Sequence, residues 1–304
     1  MLRLGIVDFD SSHSIEFTRR FNHVGVDRDQ YVDGARVVFG CPGSSTMAPE
    51  RISGFRQQIV ECGVPLADEP EAMIGDIDAV LILSLCGAAH LERVRPFLEA
   101  SIPAFVDKPF ACSVEDARAI ISLAESNNTL MFNSSALTFS AEMIEFRNRT
   151  GQYGAIHGAV SYGPAKRAEH NPGLFHYGIH PTEVLLSLMG TGCEQLSTVF
   201  SDGAELVTAQ WADGRVATLR GNRQGATAYG FIAFCENAVV HQPISTRFAY
   251  RNLCREIVTS FESGQPAVDN SFSLDVVKFI TASLESERRG GEIVSLASED
   301  TKTQ

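Results

Sequence analysis

The sequence predicts an α/β plus α+β architecture: a doubly wound parallel sheet over residues 1–133, then a mostly antiparallel sheet domain over residues 134–304. Three observations predict it. A chain of 304 residues is long for one hydrophobic core, so two domains are expected. Up to Asn133, short apolar strands alternate with helical stretches, the pattern of βαβ units. Beyond it strands follow one another directly, and Asp213-Gly214 between two of them is the strongest short hairpin signal.

Leu2 to Val7 is an apolar strand, ended by the polar run Asp8-Phe9-Asp10-Ser11-Ser12-His13. Asp10 or Ser11 is placed to cap the helix that Ile15 to Phe21 continue, with Glu16 where a capping box places its acid. Ala35 to Phe39 is a second strand, closed by Gly40-Cys41-Pro42-Gly43-Ser44-Ser45. A helix over 51–62 and a short extended piece at Val64-Pro65-Leu66 follow. Ile77 to Ser84 is nearly all apolar, as a strand buried on both faces requires. Helix 90–100, strand 104–106, helix 113–126 and strand 129–133 complete the first part. In the second part, the patterning predicts helices over 141–149, 183–189, 250–263 and 272–288. Its strands fall at 155–162, 196–201, 205–211, 215–220, 228–235 and 238–241, and a polar tail closes the chain.

Hydrophobic residues at 44%, charged residues at 20% and a net charge of −12 describe a soluble globular protein and argue against a nucleic-acid partner. No apolar run reaches the ~18 residues of a membrane helix, and no signal peptide precedes the first strand, so no membrane is expected. Seven cysteines, scattered singly, suit reduced thiols in the cytoplasm.

The stretch Pro103 to Ser113 carries the first candidate site. A buried strand stops at Asp107-Lys108-Pro109, and Ser113 with Glu115 and Asp116 opens a new helix. Proline disfavours helix in the residue before it, so Lys108 is expected extended at the strand's carboxyl end, the edge where α/β sheets bind ligands. The alternative is a solvated lysine in a loop. The second candidate is His176-Tyr177-Gly178-Ile179-His180-Pro181-Thr182-Glu183. Pro181 belongs in a first helical turn, so His180 and Glu183 share one face and His176 lies at the helix start. An imidazole beside a carboxylate is a general base with a fixed tautomer. Two other readings stand: a capping histidine, or a divalent-metal set of His176, His180 and Glu183 with His170 nearby. A third candidate is Asp10, Ser12 and His13, either as helix cap and sheet packing or as residues facing the same edge as Lys108. Tyr162, Lys166 and Arg167 lie where a polar substrate could be reached, or where a charged loop is simply solvated.

These motifs resemble those of the Gfo/Idh/MocA-type oxidoreductases, sugar and inositol dehydrogenases with a Rossmann domain and an α+β domain. Val106-Asp107-Lys108-Pro109 is similar to the family's Glu-Lys-Pro, and residues 176–183 to its Asp-x-Gly-x-His-x-x-Asp. His90 after the third strand, and Glu262-Ser263-Gly264-Gln265-Pro266 ahead of Ser273-Leu274-Asp275-Val276-Val277, extend the resemblance over most of the chain. It implies a Rossmann-like dinucleotide-binding domain over 1–133, a substrate and oligomerisation domain over 134–304, and NAD or NADP as cofactor. It further implies that Lys108 and His180 meet across the domain cleft, Lys108 bonding the substrate hydroxyl and His180 taking its proton as hydride leaves, with Glu183 orienting His180. Asp10, Ser11, Ser12, His13, Ser84, His90, Asp107 and Lys108 would face the cofactor, and Lys108, Tyr162, Lys166, His176 and His180 the substrate. No metal is called for.

Two departures bear on the cofactor. The family's Gly-x-Gly-x-x-Gly is replaced by Asp8-Phe9-Asp10-Ser11-Ser12-His13, so two acids stand where a pyrophosphate would approach. The acid that would hold the ribose hydroxyls is replaced by Cys41-Pro42-Gly43-Ser44-Ser45. Ser11, Ser12 and the helix N-terminus still offer donors to an anion. The expected function is an NAD(P)-dependent oxidoreductase acting on a sugar, polyol or related hydroxy compound. Two alternatives keep the fold: a lyase, epimerase or hydrolase using Lys108 and His180 as acid and base, with or without a metal, and a non-catalytic ligand-binding module. A homo-oligomer is expected through the C-terminal sheet, whose second face Val216, Thr218, Phe231, Ala233 and Cys235 would make apolar.

Overall fold

The structure, a computed structural model, describes residues 1–296. The end of the polar tail, and with it the end of the 134–304 region, lies outside the described residues. Contacts divide the chain into two compact units: Met1–Ser134 with Tyr250–Ser273, and Ser135–Ala249 with the described residues from Leu274 onward. The sequence reading drew one boundary after residue 133; Tyr250–Ser273 instead returns to the first unit. Amphipathic periodicity marks a helix but not which sheet its apolar face covers.

The first unit is a five-stranded parallel sheet: β1 (Leu2–Val7), β2 (Ala35–Cys41), β3 (Ala79–Ile82), β4 (Ala104–Val106) and β5 (Met131–Asn133), in the order β2-β1-β3-β4-β5. Helices α1 (His13–Asn22), α2 (Pro49–Glu61), α3 (His90–Glu99) and α4 (Val114–Ser126) lie between them in the chain. Pro65 and Ala67 bond Gly40 as a single parallel bridge outside β2, a rudimentary strand. Counting it, the order becomes the 3-2-1-4-5-6 of dinucleotide folds, with the switch point between β1 and β3. Leu81, Ile82, Phe105 and Val106 are fully buried, as a doubly covered sheet demands. The Ser113 hydroxyl accepts the Asp116 amide at 3.0 Å, capping α4 as expected. Helix α8 (Ala249–Ser263) completes this core: Phe261 meets Phe132 with ring centroids 6.1 Å apart, and a Cβ added at Gly34 would lie 2.7 Å from Val258 Cγ1.

The second unit holds the helices α5 (Ala141–Asn148), α6 (Thr150–Tyr153) and α7 (Ile179–Met189), and most of α9 (Asn270–Arg288). Its strands are β6 (Ile156–Pro164), β7 (Cys193–Ser201), β8 (Ala204–Trp211), β9 (Val216–Asn222), β10 (Tyr229–Cys235), β11 (Val239–Ile244) and β12 (Val294–Ser295). They form a seven-stranded sheet in the order β11-β10-β6-β9-β8-β7-β12, antiparallel except where β6 pairs β9. The Asp213-Gly214 turn joins β8 to β9 as read. Helix α7 begins four residues earlier than the patterning suggested, with Pro181 inside its first turn, and is buried almost all round.

One expectation about the sheet is corrected. Phe231 and Ala233 are fully buried; Phe231 packs edge-on against Phe146 of α5, so both point to the helix-covered side. Val216 (55% exposed) and Val239 (67% exposed) are among the apolar strand residues left in solvent, with Val199, Phe200 and Phe234. Strand residues alternate faces, so grouping Val216 with Phe231 required a cross-strand register that the sequence does not print.

Candidate active site

The strand-end lysine sits where the sequence placed it. Lys108 lies one residue beyond Asp107, which follows β4, and is 8% exposed. Asn133 Nδ2, at the end of the neighbouring β5, donates to the carbonyls of Val106 and Asp107 at 2.8 and 2.9 Å, locking the strand end. Lys108 Nζ lies 3.8 Å from Asp107 Oδ2. The same oxygen is 2.7 Å from His13 Nδ1, and His13 Nε2 is 3.2 Å from the Tyr250 hydroxyl. Burial pushes the Asp107 carboxyl up, but His13 and Lys108 outweigh it and hold it at about 2. It is therefore ionised at working pH, and an ionised carboxylate 2.7 Å away requires the His13 proton on Nδ1.

The loop after β1 differs from its expected role. Asp8 adopts φ +67°, the left-handed conformation a glycine would supply, which aspartate tolerates better than most residues. Its buried carboxylate accepts Ser84 Oγ at 2.5 Å and Arg93 Nε at 3.1 Å through Oδ2. Burial pushes the Asp8 carboxyl up, partly offset by Ser84 and Arg93. Asp10 does not cap α1. Its Oδ2 accepts Ser45 Oγ at 2.6 Å and its Oδ1 the Leu85 amide at 3.0 Å. Ser11 Oγ instead accepts the His13 amide at 3.3 Å, Ser12 is exposed at the helix start, and Glu16 pairs with Arg20 at 2.6 Å. Arg93 also donates to Ser44 Oγ at 3.1 Å, beside a pocket of about 380 Å³ walled by Gly43, Arg56, Asp68 and Glu69.

These bonds test the fit of a dinucleotide. The crevice at the switch point is crossed by Ser84–Asp8 and Leu85–Asp10, and Asp10–Ser45 ties the same loop to the turn after β2. A pyrophosphate seated there would face two buried carboxylates, at ~1 kcal/mol per pair at 4 Å in water and several times that in a dry site. The residues present do not fit the group in its usual seat. His90 is likewise unavailable to a ligand. It is fully buried, its two ring nitrogens lie 3.1 and 3.0 Å from the carbonyls of Phe110 and Ser84, and burial pulls it below the usual imidazole range.

In the second unit, His180 and Glu183 are held through Ser135. Ser135 Oγ lies 2.6 Å from His180 Nδ1, and its amide donates to Glu183 Oε2 at 2.6 Å. Glu183, buried, thus holds the backbone of the serine whose hydroxyl meets the imidazole. Tyr177 and Tyr229 stand edge-on to the His180 ring. His176 packs on Tyr177, Lys166 and His170 are exposed, and Tyr162 reaches toward His241 at 3.5 Å. Arg167 is committed to Glu205 and Glu287. Among the described residues no three His, Cys, Asp or Glu side chains are placed to hold one metal ion, so the ligand set read at 176, 180 and 183 is not assembled. Sequence reasoning missed Ser135, Asn133, Arg93 and Tyr250. Ser135 had a local signal, a serine pair just past a strand end; Tyr250 lies 237 residues from His13 and had none.

A parallel sheet with a buried lysine beyond its carboxyl edge, and a mostly antiparallel unit in which Ser135 meets an imidazole, are the two units to be compared with known folds. The Gfo/Idh/MocA family model, described as an oxidoreductase family with an NAD-binding Rossmann fold, matches residues 50–134, a stretch that includes His90 and the Asp107-Lys108-Pro109 motif. The match begins after the altered loop. A probable dehydrogenase from Thermotoga maritima superposes with a TM-score of 0.81 at 15% identity, over 98% of this chain and 99% of that one. Scyllo-inositol dehydrogenase from Lactobacillus casei, with bound NAD(H) and scyllo-inositol, gives 0.79 at 17% identity, over 98% and 99%. Myo-inositol 2-dehydrogenase from Lactobacillus plantarum gives 0.79 at 16%, over 97% and 99%. At these identities the likeness is one of fold. No curated protein sequence matches the chain.

Proposed function

We propose that this chain is an oxidoreductase acting on a carbon-bound hydroxyl of a small polyhydroxy compound, a sugar, polyol or inositol. The observation that carries it is Lys108, an amine on the sheet's carboxyl edge, charge-paired with Asp107 and locked by Asn133. In this reading Lys108 donates to the substrate oxygen and stabilises its developing negative charge, and His180, held by Ser135, is the group that the family resemblance implies as acceptor of the hydroxyl proton. The hydride acceptor that the family match implies is a nicotinamide dinucleotide, NAD or NADP. A second reading is favoured by the crossed crevice: proton transfer by the same amine and imidazole without redox turnover, as in an epimerase or lyase. Titration with NADH and NADPH, followed by nicotinamide fluorescence, decides between them. Saturable binding with turnover of a polyol supports the first; no binding of either at millimolar concentration removes it and leaves the second.

The open sheet face supports a homo-oligomer, and seven free thiols support a reducing, cytoplasmic setting. Sedimentation at micromolar concentration is expected to give a dimer or larger, and Val216→Glu to shift it toward monomer. A monomeric wild type overturns this assignment of the face.

A further inference from the structure

His13 stands where a dinucleotide-binding loop carries its third small residue, and its bonds reach the proposed site. Nδ1–H donates to Asp107 Oδ2 at 2.7 Å, while Nε2 faces the Tyr250 hydroxyl at 3.2 Å. The ring is 4% exposed, stacked on Phe17 at 4.9 Å and edge-on to Tyr250 at 4.9 Å, so it has one orientation. Lys108 Nζ shares that carboxylate oxygen at 3.8 Å, within ion-pair range but beyond a hydrogen bond, and no hydrogen bond from Nζ is found among the described residues. A buried ammonium beside a carboxylate would ordinarily close to about 2.8 Å. Here the imidazole bond to Oδ2 fixes the carboxylate's orientation, with Oδ1 buried and without a hydrogen-bond partner, so the carboxylate does not turn to meet the ammonium.

We infer that His13, held by Tyr250, is a positioning residue that keeps Asp107 engaged so that the Lys108 amine retains a counter-charge yet has its donors open for a substrate oxygen. The inference rests on Lys108 being the amine of the proposed reaction. Among the described residues, further charged groups near this assembly include Arg20, whose guanidinium lies 5.3 Å from the Tyr250 ring centre, and Glu16, which with Gln30 binds it. Removal of the imidazole frees Asp107 to turn to Lys108 and occupy its donors. This exchange is not available to a histidine that merely fills space.

The test is the labelling rate of Lys108 by an amine-selective reagent such as trinitrobenzenesulfonate, read by mass spectrometry on the full chain. In His13→Ala it is expected to fall about tenfold, with a fall of about 10–100-fold in kcat and little change in KM. Added imidazole should restore part of both. Tyr250→Phe, which keeps the ring and leaves the Asp107 contact intact, should lower the labelling rate in the same direction but less. An unchanged Lys108 labelling rate in both variants overturns the inference whatever turnover does. A lowered labelling rate in a protein that turns over no polyol upholds the clamp and overturns the proposed reaction.

Discussion

Lys108→Met is expected to lower kcat/KM on any polyol substrate by about 10³-fold, the scale of losing one donor to a developing oxyanion. Methionine keeps the length and apolar stem of the side chain, so the loss is one of charge and hydrogen bonding. The same substitution should leave a mark on stability whose sign with pH can be worked out. Asp107 titrates at about 2, below the ~3.9 of an unfolded aspartate, so its ionised form stabilises the fold above about pH 4 by roughly 2 kcal/mol. That contribution is lost as pH falls through 2. Lys108 is one of the two neighbours, with His13, that hold the carboxyl down, so Lys108→Met raises the Asp107 pKa and shrinks this contribution. Urea unfolding should therefore show the variant weaker by about 1 kcal/mol at pH 7, with the difference closing toward pH 2. An equal deficit at both pH values would mean that the amine contributes packing alone, and undiminished turnover would remove Lys108 from the chemistry.

Gly43→Ala is expected to destabilise the first unit by about 3 kcal/mol or more, at the far end of single-substitution effects. Gly43 has φ +61°, where an L side chain alone costs about 1 kcal/mol. A Cβ there would overlap Asp8 Oδ1, an oxygen buried without a hydrogen-bond partner. The Asp8 carboxylate cannot swing away without giving up Ser84 and Arg93. In an Asp8→Gly background the cost should drop to about 1 kcal/mol, a coupling of about 2 kcal/mol in a double-mutant cycle. Gly54→Ala, in the middle of α2 with open space around it, is the control and should be neutral or stabilising by about 0.5–1 kcal/mol. Thermal or urea unfolding of the four variants checks the set; additive costs at positions 8 and 43 would show that the carboxylate does not fill this turn.

How much of this was legible beforehand follows from what each signal is made of. Strand β4 was read to the residue because Pro103 and Asp107 bound an apolar run. The Ser113 cap was legible because its partner, Asp116, is three residues away. Asp10 was misread as a cap because its true partners, Ser45 and Leu85, are brought to it only by the sheet order. The loss of the glycine pattern was visible as a departure, but not that both acids would turn inward and cross the crevice. Histidine types were visible and their environments were not: His13 meets a carboxylate, His90 two carbonyls and His180 a serine hydroxyl.

The return of Tyr250–Ser273 to the first unit has a consequence for biosynthesis. A ribosome that has finished Ser134 must still translate Ser135–Ala249 before the helix that seats on Phe132 and Gly34 is made, on the order of ten seconds at usual elongation rates. Through that interval the nascent sheet carries an uncovered aromatic seam, the kind of surface that cotranslational holdases grip. Maturation of the parallel unit therefore waits on a helix made only after Ser135–Ala249, although all of its own strands are made before that stretch.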